Sequence, residues 1–262
     1  MEIAVETLAA ALLGLFTAGY LVLGGADLGV CMLLPHLGRD ADERRTVLAA
    51  IAPFFLGNEV WLIAAAGVFV GCFPALEGEV FTGQSAVLVP LLAGWIVRDA
   101  GLWWRGRAPW RAWRALCDGM VVAGSWTAAL AWGWLLAGLL TGDPAEPAAG
   151  PATVLTSLGV AALFAVHGSA FAALRLTGGL RRRARLPAGR AGERSTFALT
   201  ALAMAVLPLA AGVRLPLAES AAGGQVLGLL VPAVLAVVPL PVAAQVWLWL
   251  TFRGRVTGPS YL

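Results

Sequence analysis

The sequence predicts an all-α, polytopic transmembrane helical bundle of seven spans, and three observations predict it. Hydrophobic residues make up 60% of the 262-residue chain and only 13% are charged. Together with a mean hydropathy of +0.82, this is a composition that no soluble domain of this size carries. Apolar runs recur at the length of about 20 helical residues that a bilayer core of roughly 30 Å requires. Each run is continuous rather than alternating, which excludes the strands of a β-barrel.

Taken in order, the spans cover residues 5 to 34, 47 to 73, 80 to 104, 119 to 140, 152 to 174, 195 to 213 and 225 to 251. The first follows the start MEIAVETLAAALLGLF, which has two glutamates and no basic n-region. It is expected to stay attached as a transmembrane helix, because its apolar run is too long for a signal-peptide core. The second holds FFLGNEVWLIAAAG, the fifth FAVHGSAFAAL, the sixth ALAMAVLPLAAGV and the last QVWLWL. Short loops join most of them, leaving no room for a soluble domain.

All 18 basic residues are arginine. Arg39, Arg44 and Arg45 follow span one, Arg98 to Arg114 fall around the loop after span three, and Arg175 to Arg194 follow span five. Arg253 and Arg255 follow span seven, and the opposite loops hold Arg214 alone. The positive-inside rule therefore puts the N-terminus outside and the C-terminus in the cytoplasm. The sequence pI of about 9.1 reflects this membrane asymmetry and implies no nucleic-acid face. The Trp-rich GLWWRGRAPWRAWRALCDG at 101 to 119 suits a quinone headgroup or a lipid phosphate, but an aromatic belt with interfacial arginines explains it more simply. The run LRRRARLPAGRAGER at 180 to 194 reads as a solvated cytoplasmic loop.

Cys31, Cys72 and Cys117 are scattered without CxxC spacing, and His36 and His167 are the two histidines of the chain. This pattern argues against a metal cluster or a disulfide framework. The chemistry is expected instead from polar residues inside the spans. Asp27, in LVLGGADLGVCMLL, and Glu59, in GNEVWL, each carry a cost of about 2.5 to 3.5 kcal/mol at a helix centre. No arginine is expected at their depth, and a carboxylic acid without a partner charge there can pass protons. The competing reading is packing, since Gly25 and Gly29 form a small-xxx-small pair around Asp27 and close crossings use such acids as backbone hydrogen-bond partners. Glu59 and Asn58 divide the same way, because a tilted second span leaves Glu59 about a turn and a half from the cytoplasmic surface. Trp61 is either a core ring or the wall of a ligand path. His167 is a candidate haem ligand, or a partner for a neighbouring helix.

Four segments, in order, resemble subunit II of the cytochrome bd-type quinol oxidases: GGADLGVCMLLPHLGRDADERR at 24 to 45, IAPFFLGNEVWLIAAAG at 51 to 67, HGSAFAALRLTGGLRRRAR at 167 to 185 and QVWLWLTFRGRV at 245 to 256. The LGRxxxERR turn followed by GNEVWL is the specific combination. The resemblance implies a protein of the bacterial cell membrane that pairs with a haem-bearing subunit I, with room for additional small membrane subunits. It places haem b, haem d and the quinol site in that partner, so that this chain binds no cofactor itself, stabilises the partner and helps bring protons to the oxygen-reducing site. Asp27 and Glu59 are then the proton-relay candidates, and Gly25, Gly29, Asn58, Trp61 and His167 mark the motifs and their packing.

Departures from the family pattern are specific. Gly24 stands where the family has an aspartate and Ala26 where it has an aromatic residue, while Phe55 and Leu56 replace a Trp-Asp pair. Family members generally have nine helices, so the chain is read as one membrane domain with a first four-helix bundle at 1–141 and a shortened second bundle at 152–252. The alternatives are a purely structural subunit without proton transfer and, less favoured, a small membrane transporter, for which no internal repeat is evident.

Overall fold

A computed structural model describes residues 2–186 and 192–258. Residues 187 to 191, within the arginine-rich stretch at 180 to 194, lie outside the described residues. Seven segments are long and apolar enough to cross a membrane: Val5–Met32, Phe55–Cys72, Ser85–Arg107, Arg111–Thr141, Pro151–Arg175, Glu193–Arg214 and Gly224–Thr251. Among the described residues there is no strand, only a lone bridge between Leu176 and Val256.

The elements are α1 (Glu2–Met32), α2 (Leu34–Leu37), α3 (Ala41–Ile51), α4 (Phe55–Cys72), α5 (Pro74–Gly83), α6 (Ser85–Trp104), α7 (Arg111–Thr141), α8 (Pro151–Arg175), α9 (Gly178–Ala184), α10 (Glu193–Arg214), α11 (Gly224–Val237) and α12 (Pro239–Thr251). Three boundaries differ from the sequence reading, each for a local reason. The run from 47 to 73 is two helices, broken at 52–54 where Pro53 offers no backbone N–H and Phe54 N bonds back to Ile51 O at 2.8 Å. The third span begins at Ser85 rather than 80, after α5 ends and Gln84 N bonds back to Val80 O. The fourth begins at Arg111 rather than 119, so much of the Trp-rich stretch is helix and not loop.

Asp40 starts α3: its side chain accepts from Asp42 N at 3.0 Å and Glu43 N at 2.8 Å, an N-cap that fixes the turn after α1. The last span is divided at Val238 into α11 and α12, where Pro239 and Pro241 remove two backbone donors.

Helix α1 is central, packing on α4, α7, α8, α10 and α11. Its crossing with α8 depends on glycine: a Cβ on Gly29 would run into the Phe164 carbonyl, and one on Gly168 into the Gly29–Val30 backbone. The α6–α7 pair meets in the same way at Gly94 and Gly124. Small residues allow this approach, which maximises dispersion contact where lipid offers no hydrophobic drive between helices. One apolar core joins α1, α4, α7, α8, α10 and α11 around Leu12, Tyr20, Trp132, Phe164 and Met204. A second, around Ile51, Phe54, Leu102 and Phe171, fills the arginine-rich end.

Candidate functional site

Polar groups gather at that same end. Asp27 is five residues before the end of α1, Glu59 is four residues after the start of α4, and Arg98 is six before the end of α6. At 1.5 Å per helical residue each lies within about 10 Å of a helix terminus.

The α1–α4–α12 contact holds the first group. Asn58 Nδ2 donates to Asp27 Oδ2 at 2.7 Å and to the Leu23 carbonyl at 3.2 Å. Gln245 Nε2, from α12, donates to Asn58 Oδ1 at 3.0 Å. All three side chains are buried, with Asp27 only 1% exposed. Asp27 Oδ1 has no hydrogen-bond partner among the described residues. One carboxylate oxygen is therefore fixed by an amide and the other is left uncommitted.

Glu59 corrects an expectation. An arginine does lie at its depth: Arg98 Nη2 is 2.5 Å from Glu59 Oε1, and Trp95 Nε1 donates to the same oxygen at 3.0 Å. Arg98 Nη2 is also 2.7 Å from Asp99 Oδ1, so two carboxylates share one guanidinium nitrogen. Arg98 is 2% exposed, a cation taken out of water and held by its two acids. Sequence reasoning missed Arg98, Asp99, Trp95 and Gln245. Arg98 lies inside the span read at 80 to 104 but groups by charge with the arginines around the following loop, and the apolar residues on both sides in GWIVRDAGLWW, with Trp95 one turn earlier on the same face, are the signal that it sits deeper.

The structure brings the other candidates to nearby positions without joining them to these groups. Gly25 faces Phe164 and Met204, and Gly29 forms the α1–α8 crossing. Trp61 is buried against Gly19 and stands edge-on to Phe16, ring centroids 5.9 Å apart. His167 stacks on Phe197 at 4.5 Å. Its Nε2–H donates to the Val22 carbonyl at 2.9 Å, and Nδ1 lies 2.7 Å from the Thr200 hydroxyl. Both ring nitrogens are thus engaged within the protein.

An ionic layer closes the arginine-rich end. Arg105 Nε and Arg44 Nη1 bind Asp118 at 2.6 and 3.2 Å. Arg183 binds Glu43 at 2.6 Å, and Arg181 and Arg255 converge on Glu193 at 2.7 and 3.0 Å. Arg175, buried and without a carboxylate partner among the described residues, lies 5.1 Å over the Phe54 ring and donates to the carbonyls of Phe252 and Gly254. No group of three His, Cys, Asp or Glu side chains among the described residues could hold a metal ion.

Comparison with known proteins points one way. The sequence model of the family described as "Cytochrome bd terminal oxidase subunit II" matches residues 5–261. The "Cytochrome bd-I ubiquinol oxidase subunit 2" of Escherichia coli (strain K12) is 35% identical over 133 residues, which is 51% of this chain and 35% of that protein. The "Probable cytochrome oxidase subunit 2" of Haemophilus influenzae is 36% identical over 126 residues, 48% of this chain and 33% of that protein. The "Cytochrome bd ubiquinol oxidase subunit 2" of Bacillus subtilis is 29% identical over 184 residues, 66% of this chain and 54% of that protein. The matched region thus spans from a third to about half of the length of these relatives.

Proposed function

Because the chain belongs to the cytochrome bd terminal oxidase subunit II family, we propose that it is the haem-free membrane subunit of a quinol:oxygen oxidoreductase in the bacterial cell membrane. In this reading it stabilises a haem-bearing subunit I and relays protons toward the site of oxygen reduction, with its arginine-rich end in the cytoplasm. Haems b and d and the quinol site then belong to subunit I. Consistent with that division, the histidine inside a span of this chain has both ring nitrogens engaged. In the same reading the chain forms a first four-helix bundle at 1–141 and a shortened second bundle of three spans at 152–252.

The observation that carries the relay is the divided carboxyl of Asp27. Reducing oxygen to water consumes protons at a buried centre, so the path needs groups that take and release them away from bulk water. An amide does not serve as such a group at ordinary pH. Asn58 positions instead: its N–H fixes Oδ2, and Gln245 fixes Asn58 in turn. Oδ1 is then the atom at which a proton is held or passed. Glu59 and Asp99 form a second acidic station, whose charge Arg98 offsets.

Asp27→Asn in the assembled complex tests the relay. Quinol-driven oxygen consumption in vesicles is expected to fall at least about a hundredfold, the lower end of what one positioned proton-transfer group contributes, while the haem spectrum and subunit ratio stay as in the parent. Unchanged turnover would make Asp27 a packing residue.

A second reading, a structural subunit without proton transfer, draws on the ion pairing of Glu59 and on the position of Asp27 beside the Gly29–Gly168 crossing. Replacing Asp27 and Glu59 together separates the two. A scaffold would lose thermal stability but keep its turnover per haem.

A further inference from the structure

We propose that the hairpin between α6 and α7 is a binding site for the headgroup of an anionic phospholipid. Its parts are Trp104, Arg107, Arg111, Trp113 and Arg114.

The site is folded, unlike a tether of interfacial residues. Helix α6 ends at Trp104, and a 3-10 turn at Arg105–Arg107 reverses the chain. Arg105 points inward to Asp118 and is 4% exposed, so this residue anchors the hairpin to the bundle. Trp113 Nε1 then donates to the Trp104 carbonyl at 2.8 Å, pinning the start of α7 to the end of α6. These two contacts leave a surface hollow lined by Trp104, Arg107 and Trp113. Arg111 and Arg114 stand one turn apart on the first turn of α7, in the same segment as Trp113, and add two further cations to the end of the hairpin.

Charge then selects the occupant. Among the described residues no carboxylate lies within ion-pair distance of Arg107, Arg111 or Arg114. Asp118, the acid of the first turns of α7, is already committed to Arg105 and Arg44. Arg107 and Arg111 are exposed, and Arg114 is half-buried. A phosphodiester supplies the missing anion, and a guanidinium can bind it through two N–H groups at once. Indoles are at home at the level of the headgroups, where one end of the ring is wet and the other meets acyl chain. Trp103 and Trp110, 51% and 69% exposed, extend this aromatic rim. A neutral quinone headgroup would gain nothing from three cations, which is why the lipid is the better fit.

The test uses the full chain, purified with whatever subunits accompany it, in a zwitterionic detergent. The thermal midpoint is followed while phosphatidylglycerol, phosphatidylcholine of the same acyl chains, or inorganic phosphate is added. Phosphatidylglycerol is expected to raise the midpoint, and the other two are not. Arg107→Gln and Arg111→Gln should each raise the phosphatidylglycerol concentration that gives half of the shift by about fivefold. The control pair Arg182→Gln and Arg253→Gln, arginines elsewhere at the same end, should leave it unchanged. Native mass spectrometry of the same samples counts retained phosphatidylglycerol and gives a reading independent of stability. An equal loss in the control pair would reduce the site to a diffuse basic belt and overturn the proposal. So would a full response to inorganic phosphate alone, which would indicate a simple anion site.

Discussion

Arg98 and Glu59, 39 residues apart in the chain, are joined by an ion pair of 2.5 Å inside the bundle. Asp99 lies against the same guanidinium nitrogen, so one cation answers two acids. Removing that cation should be far worse than removing the cluster, because it strands buried charge. Arg98→Gln is expected to destabilise the folded chain by about 3 to 5 kcal/mol, read as loss of thermal midpoint and of yield in detergent. Adding Glu59→Gln should restore part of the loss. Strictly additive effects would show that the two residues do not act as a pair.

The α1–α8 crossing makes a second prediction. Gly29→Ala and Gly168→Ala each place a methyl group against backbone, which cannot swing aside. A cost of about 1 to 3 kcal/mol is expected for each. Gly159→Ala, on the same α8 but with open space around it, should be neutral or slightly stabilising. Equal effects at the three positions would show that helix propensity, not close approach, governs them.

Acid sensitivity should arise partly at Glu43. The Arg183 guanidinium and the Arg39 amide both donate to its carboxylate, and these hydrogen bonds hold its carboxyl below the usual range. A carboxyl whose folded pKa is depressed contributes stability above its unfolded value of about 4.3, and that contribution is lost as pH falls through the lower folded value. Glu43 is partly solvated, so the contribution should be below about 1 kcal/mol and weaken in high salt. Glu43→Gln should flatten this part of a stability-against-pH curve. A curve unchanged by the substitution would mean that the pair adds nothing.

The C-terminal segment should be held by Arg175. Its guanidinium donates to Phe252 and Gly254, and Val256 N bonds to the Arg175 carbonyl at 2.7 Å. Arg175→Met keeps the packing stem over Phe54 but loses the donors. Hydrogen exchange at Val256 is then expected to accelerate by at least about tenfold, while the α8 core stays protected. Unchanged protection would assign the anchoring to Arg255, which donates to the Ala173 and Leu176 carbonyls.

Much of this protein was legible in its sequence, because the bilayer permits few solutions. Continuous apolar runs in lipid must form helices, and their length set the count of seven that the structure shows. The LGRxxxERR turn and GNEVWL marked the family, and the Gly25 and Gly29 pair offered a close helix crossing, which the structure makes at Gly29 against Gly168. What the tertiary structure alone decided was which polar groups meet. Asn58 lies beside Asp27, and Gln245 reaches it from the last span, 187 residues along the chain. Glu59 finds Arg98, although no arginine was expected at its depth, because the rotation of α6 turns that arginine inward toward α4 rather than toward the cytoplasmic surface. Hydropathy reports how deep a residue sits but not which way it faces. The pairing of buried charges depends on helix rotation and crossing, and those are set by packing between segments distant in the sequence.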